Sequence, residues 1–211
     1  GRGGIGDDDG TEVDRKNGAD RRRLIGVRWM APDDDTPREN ADAVVRSQYE
    51  AHPYPPRDPD DERQRLITGS PSHIREINHY VFGGKRDFSK PFRALIAGGG
   101  TGDATVMLAQ QLADQGPGEV VYVYISEASL KIAEARVQAR NLRNVSFHHG
   151  SLLDLGDIAP GPYDYIDCCG VLHHLADPAA GLGALEEVLE ESGGMGLMLY
   201  GGLGRTGVYP M

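Results

Sequence analysis

A short apolar run, Ala94-Leu95-Ile96-Ala97, passes directly into Gly98-Gly99-Gly100-Thr101-Gly102-Asp103, and a helical pattern follows from Ala104 through Leu112. Few folds accept that order. It describes a buried parallel strand that delivers the backbone into a tight turn at a helix N-terminus. Gly98, Gly100 and Gly102 permit positive φ angles and leave no Cβ between the turn and a ligand. The unpaired N–H groups of the helix start then face whatever sits there. The dinucleotide spacing G-x-G-x-x-G fails here, because its third glycine falls on Asp103 or on Thr105. A phosphate-cradling G-x-x-x-x-G-K-[ST] loop fails too, since no lysine follows the glycines. What remains is G-x-G-x-G running into an acidic residue. Asp103 would repel a pyrophosphate and tolerate a sulfonium or an amino group.

The pattern on either side of this turn is that of an α/β chain. A helix is expected over Asn40 to Ala51, ended by the proline-broken His52-Pro53-Tyr54-Pro55-Pro56. Asp61 caps a second helix through Leu66, and Ser70-Pro71-Ser72 opens a third that stops at Gly83-Gly84. After the glycine turn the helix runs to about Gln115. Strands follow at Val120 to Ile125, Val145 to His148, Tyr163 to Cys169 and Met195 to Tyr200. Between them lie a helix from Glu127 to Asn141 capped by Ser126, and one opened by Asp177-Pro178 that runs to about Glu190 and ends at Gly193-Gly194. Alternating strands and helices give a mostly parallel sheet with right-handed crossovers and helices on both faces. Ligands then bind at the C-terminal ends of the strands, near the switch point beside the first strand.

Composition narrows the function classes. With 32 Asp+Glu against 22 Lys+Arg the chain is acidic, which disfavours sequence-independent nucleic-acid binding. No apolar run reaches the length of a membrane span and no signal-peptide pattern opens the chain, so a cytoplasmic protein is expected. Cys168 and Cys169 are neighbours in a strand-like run and point to opposite faces, so they form no disulfide framework and read as core. His148-His149 and His173-His174 likewise diverge, and no metal site is expected. No G-x-S-x-G elbow supports a hydrolase. Residues 1–38 are rich in Gly, Asp and Arg, including Asp7-Asp8-Asp9 and Arg21-Arg22-Arg23, and read as a solvated tail. Gly204 to Pro210 follows the last strand as a loop.

The glycine turn, together with Gly170-Val171-Leu172-His173-His174-Leu175 after the fourth strand, resembles the class I S-adenosylmethionine-dependent methyltransferases. Gln48-Tyr49-Glu50 and Pro53-Tyr54-Pro55 are similar to a bacterial branch of that family often joined to tetratricopeptide repeats, although the sequence shows no such repeat. The likeness spans about Gln48 to the C-terminus. It implies a Rossmann-like cofactor domain over 91–211, a helical lid segment over 39–90 and the flexible tail at 1–38. It also implies two further edge strands after the fifth, so the chain is expected to be truncated there, with an exposed edge. Three positions depart from the family pattern. Ile96 stands where an acidic residue usually precedes the glycines, Tyr124 where one usually holds the ribose, and Ser151 where an Asp often meets the adenine. Each loss costs about 1–3 kcal/mol of ligand binding if nothing replaces it.

The resemblance implies transfer of a methyl group from S-adenosylmethionine, by in-line displacement, to an acceptor the sequence does not identify. A small molecule or a protein is a better acceptor than a nucleic acid, and the oligomeric state is open. Gly98, Gly100 and Gly102 seat the cofactor, Asp103 pairs with its amino group, and Tyr124 or Glu127 borders the ribose. Ser151 and Leu152 line the adenine, with Cys169 and Gly170 behind it. His173 and Tyr54 are the weak candidates for a catalytic base. The competing expectation is a non-catalytic module of the same fold, favoured by the three missing acids.

Overall fold

A computed structural model describes residues 38–69 and 71–201. The expected tail therefore falls almost wholly outside the described residues, as does the loop over 204–210. The first helix, α1 (Arg38–Ala51), is followed by a 3-10 turn at Pro59–Arg63 and by α2 (Ile74–Phe82). Then come β1 (Phe92–Ala97), α3 (Asp103–Gln115), β2 (Gly118–Tyr124), α4 (Glu127–Ala139) and β3 (Val145–His149). A short helix α5 (Leu155–Ile158), β4 (Tyr163–Cys169), α6 (Pro178–Glu187) and β5 (Leu189–Met198) complete the described chain.

The five strands form one parallel sheet in the order β3-β2-β1-β4-β5. This is the Rossmann-like architecture the alternating pattern predicts. Apolar residues occupy both faces of β1 because helices cover both sides. Leu95 and Ala97 pack with Val121, Ile166 and Cys168 against Leu185 of α6. Ala94 and Ile96 pack with Tyr165 against Ile77 of α2 and Leu108 and Leu112 of α3. A third cluster sets Tyr122 and Tyr124 against Leu130 and Ala133 of α4. The order of strands reverses between β1 and β4, which places the switch point at the glycine turn.

Three local expectations are corrected. The helix expected from Asp61 to Leu66 is the 3-10 turn Pro59–Arg63. Its cap is Asp58, whose carboxylate accepts from the Asp60 N–H at 3.0 Å, with Pro59 supplying the preset φ of a first position. Helix α2 begins at Ile74 with His73 as its cap, because Ser72 is buried against β4 and is not free to cap a helix. Gly193 and Gly194 do not end a helix; they lie inside β5. A Cβ at Gly194 would come within 2.7 Å of Val81, and one at Gly193 within 2.8 Å of the Asp164 carbonyl oxygen. Close approach of α2 and β4 thus requires glycine there. Pairing with β4 jumps from Tyr163↔Leu189 to Tyr165↔Gly194, so the intervening residues of β5 form a bulge. Strand β5 is an edge of the sheet, and among the described residues no strand pairs with its outer side.

Candidate functional site

A cavity of about 450 Å³ opens over the C-terminal ends of the strands, a size typical of sites for small organic ligands. Its floor is Gly98, Gly99, Gly100 and the start of α3 at Asp103. Val123, Tyr124 and Ile125 at the end of β2, and Gly150, Ser151 and Leu152 after β3, make one wall. Asp167, Cys169 and Gly170 on β4 make the other. Tyr49 of α1, the segment around Tyr54 and the stretch from Ile67 to Ser72 (Ser70 lies outside the described residues) face them across the space.

The glycine turn has the conformation its composition predicts. Gly98, Gly100 and Gly102 have φ angles of 87°, 53° and 97°, a region costly for residues with a Cβ. Space forbids side chains as well. A Cβ at Gly98 would run into Val171, one at Gly100 would lie 2.9 Å from the Tyr54 carbonyl oxygen, and one at Gly102 would lie 2.9 Å from Ala133. The Tyr122 hydroxyl donates to the Gly100 carbonyl at 2.6 Å and pins the turn from beneath. From above, Thr101 Oγ1 donates to the Pro55 carbonyl at 2.6 Å.

An ion cluster ties the 52–63 segment to the same turn. Arg57 donates to both Asp103 oxygens, at 2.8 and 2.6 Å, and Arg136 donates to one of them at 2.7 Å. Arg136 is 1% exposed and also donates to Glu62, at 2.6 and 2.9 Å, and to the Thr101 carbonyl at 2.8 Å. Arg140 donates to the other oxygen of Glu62. Burial disfavours the charged form of Asp103, but its hydrogen bonds to Arg57 and Arg136 and their positive charges outweigh that cost and hold its carboxyl below the usual range.

The sequence-chosen residues divide into those that line the cavity and those that do not. Gly98, Gly100, Asp103, Tyr124, Ser151, Leu152, Cys169, Gly170 and Tyr54 line it; Gly102 sits just behind as the first cap of α3. Asp103 is corrected in one respect: its oxygens already accept from two arginines, which makes it a poor partner for an incoming ammonium group. Glu127 is corrected outright. It is exposed on α4, paired with Lys131 at 2.8 Å, and does not line the cavity. His173 is corrected as well. Its ring packs on Tyr200 and His174, and the imidazole that lines the cavity is that of His174, with Nε2 3.4 Å from the Tyr49 hydroxyl.

Residues the sequence reading missed are equally informative. Glu50 of α1 reaches the start of α4, accepting from Ser126 Oγ at 2.9 Å and from the Ala128 N–H at 3.3 Å. The Ser126 hydroxyl, then the Ala128 amide, pull its carboxyl below the ordinary range. Asp167 is 4% exposed, lines the cavity and stands in register with Ile96 on the adjacent strand. The signal for it was an acid between Ile166 and Cys168 in the middle of the strand-like run Tyr163–Cys169, since a buried acid needs a partner or a use.

Burial, reinforced by the Asp167 charge, pushes the Cys168 thiol up to about 12, and the same causes raise Cys169 further. Native Cys168 is then held as the unreactive thiol at pH 8. Both cysteines are expected to resist a disulfide-exchange reagent at pH 8 until the protein is unfolded in denaturant. Stoichiometric colour release from the native protein within minutes would contradict the raised thiol pKa of both cysteines.

The family match agrees with this geometry: residues 95–195 match the model of the methyltransferase domain. That stretch is similar to a methyltransferase domain. An uncharacterized protein of Synechococcus sp. is 31% identical over 175 residues, covering 80% of this chain and 39% of that protein. The ubiquinone biosynthesis O-methyltransferase of Idiomarina loihiensis is 27% identical over 136 residues, covering 64% of this chain and 51% of that enzyme. Magnesium protoporphyrin IX methyltransferase of Synechocystis, a solved structure, is 20% identical with a TM-score of 0.49, covering 71% of this chain and 72% of that one. The chain thus spans about 39% and 51% of the length of these two sequence relatives. No helix among the described residues is long and apolar enough to cross a membrane.

Proposed function

We propose that this cavity binds S-adenosylmethionine and that the chain catalyses methyl transfer from it. The observation that carries the reading is the charge of the lining. Among the described residues around the cavity there are two carboxylates, Asp103 and Asp167, and no lysine or arginine. The start of α3, where a phosphate would ordinarily sit on free N–H groups, carries the chain's own Asp103 carboxylate. Asp103 is matched by Arg57 and Arg136, so Asp167 is the acid of the lining left for a positive centre, and the occupied start of α3 is unsuited to a pyrophosphate.

The residues present fit that ligand. The three left-handed glycines leave a cradle that any Cβ would fill. Val123, Ile125 and Leu152 offer an apolar slot for a flat base, beside the Ser151 hydroxyl. Tyr124 borders the sugar position with a hydroxyl kept protonated by burial and by the neighbouring Tyr49. The bound cofactor brings a methyl group already activated on a positive sulfur. What the protein must add is alignment and the exclusion of water. The 39–90 segment acts as the lid in this reading, closed by the Arg57–Asp103 pair and the Thr101–Pro55 hydrogen bond. His174, beside the Tyr49 hydroxyl, and Tyr54 are the candidates in this reading for accepting a proton from the acceptor.

The acceptor is taken to be a small molecule or a protein side chain. The test is incubation with methyl-labelled S-adenosylmethionine and a panel of amine, phenol, carboxylate and protein acceptors, with S-adenosylhomocysteine release as the readout. Turnover that disappears in Gly100→Val is the expected result. Tight retention of the cofactor with no turnover on any class would favour the non-catalytic module.

A further inference from the structure

The buried carboxylate of Asp167 has no counter-charge. One of its oxygens accepts from the Ser72 hydroxyl, a neutral donor, and Cys169, two residues on, is neutral as well. Among the described residues no lysine, arginine or histidine forms an ion pair with it. Burial pushes its carboxyl above the ordinary range, and the hydrogen bonds from Ser72 and Cys169 offset that only in part. A carboxylate kept in such a place is costly unless a cation joins it. It also has capacity left, since two oxygens offer about four acceptor positions.

Its position tells which cation. In the register of the sheet Asp167 is opposite Ile96, two residues before Gly98, so its side chain shares the Ile96 face at the root of the glycine turn. The apolar slot for a base is at the far side of the cavity, beyond β2. A ligand laid from that slot along the strand ends therefore brings its other end to β1 and β4. Asp103, the other acid of the lining, is already matched by Arg57 and Arg136. Asp167 is the acid left to meet a positive group.

We infer that Asp167 binds the α-ammonium group of the cofactor's amino-acid end, with Ser72 fixing the carboxylate's orientation. The inference rests on the S-adenosylmethionine reading above and assigns its charged end. Asp167 is a binding residue here and takes no part in moving a proton or a methyl group. An ammonium–carboxylate hydrogen bond of this kind changes affinity by about tenfold to a hundredfold.

The test is calorimetric titration of the whole chain with two ligands, S-adenosylhomocysteine and its desamino analogue, which keeps the nucleoside and the carboxylate and lacks the ammonium. The wild-type chain is expected to prefer S-adenosylhomocysteine by about tenfold or more. Asp167→Asn is expected to bring the two affinities within about threefold of each other by weakening S-adenosylhomocysteine alone. Unchanged binding of the desamino analogue shows that the variant is folded. A variant that keeps the wild-type preference, or a wild-type chain that binds both ligands equally, overturns the assignment of Asp167 and leaves the cofactor reading standing. A wild-type chain that binds neither overturns both. Should Asp167→Asn not fold, the wild-type preference alone decides.

Discussion

Glu62→Ala is expected to lower the melting temperature of this domain by roughly 10 °C. Glu62 is buried in the 3-10 turn and accepts from Arg136 and Arg140 on α4, while Arg136 is itself almost fully enclosed. Removing the acid leaves Arg140 without its carboxylate and the enclosed Arg136 with Asp103 as its remaining acid. Breaking a buried pair from one side costs about 3–5 kcal/mol, and in a chain of this size each kcal/mol shifts the midpoint by about 2–4 °C. The surface pair between Arg63 and Asp60 is the control. Both of its side chains are more than two-thirds exposed, so Asp60→Asn is expected to change stability by less than about 1 kcal/mol. Thermal unfolding followed by circular dichroism checks both. A shift under 2 °C for Glu62→Ala would mean that the 3-10 turn does not anchor the segment to α4.

Gly100→Val is expected to weaken binding of S-adenosylhomocysteine by about 10- to 100-fold or more. Two costs add at this position. The backbone sits at φ 53°, where a β-branched residue is strained, and the new Cβ would press on the Tyr54 carbonyl oxygen at 2.9 Å. Overpacking of this kind costs about 1–3 kcal/mol, and the strain falls on the turn that forms the cavity floor. Gly84→Ala is the matched control, since Gly84 also has a positive φ of 78° but nothing lies within 4 Å of its Cβ position. That variant pays backbone strain alone, far from the cavity, and should bind as the wild type does.

The sheet and its glycine turn were legible because their signals are local. An apolar run followed by glycines at alternate positions leaves a parallel strand and a left-handed turn as the natural reading, and β4 was placed at Tyr163–Cys169 from its pattern alone. The helix caps at Ser126 and Asp177 were equally readable, since each supplies an acceptor just before an apolar-periodic segment. The failures share a different cause. Gly193-Gly194 looked like a helix stop, yet the glycines answer to Val81 and Asp164, residues distant in sequence. Glu127 looked like a substitute for the missing acid at the end of β2, but a helix start rotates its side chains away from the strand axis within one residue. Ser70-Pro71-Ser72 looked like a helix start, yet Ser72 is a partner of Asp167, 95 positions on. The acids that matter to the cavity, Glu62 through its arginines and Asp167 by itself, are defined by what packs on them. Only the presence of Asp167 within an apolar strand hinted at this.

The most direct measurement is calorimetric titration of the 211-residue chain with S-adenosylhomocysteine, in parallel with NAD+ and ADP. The account predicts saturable one-to-one binding of S-adenosylhomocysteine with a dissociation constant of about 1–100 μM, or about −8 to −5 kcal/mol. It predicts no measurable binding of NAD+ or ADP at the same concentrations, because the chain's own Asp103 occupies the helix start where a pyrophosphate would lie. Binding of NAD+ or ADP in preference to S-adenosylhomocysteine, or no saturable binding of S-adenosylhomocysteine, would contradict it.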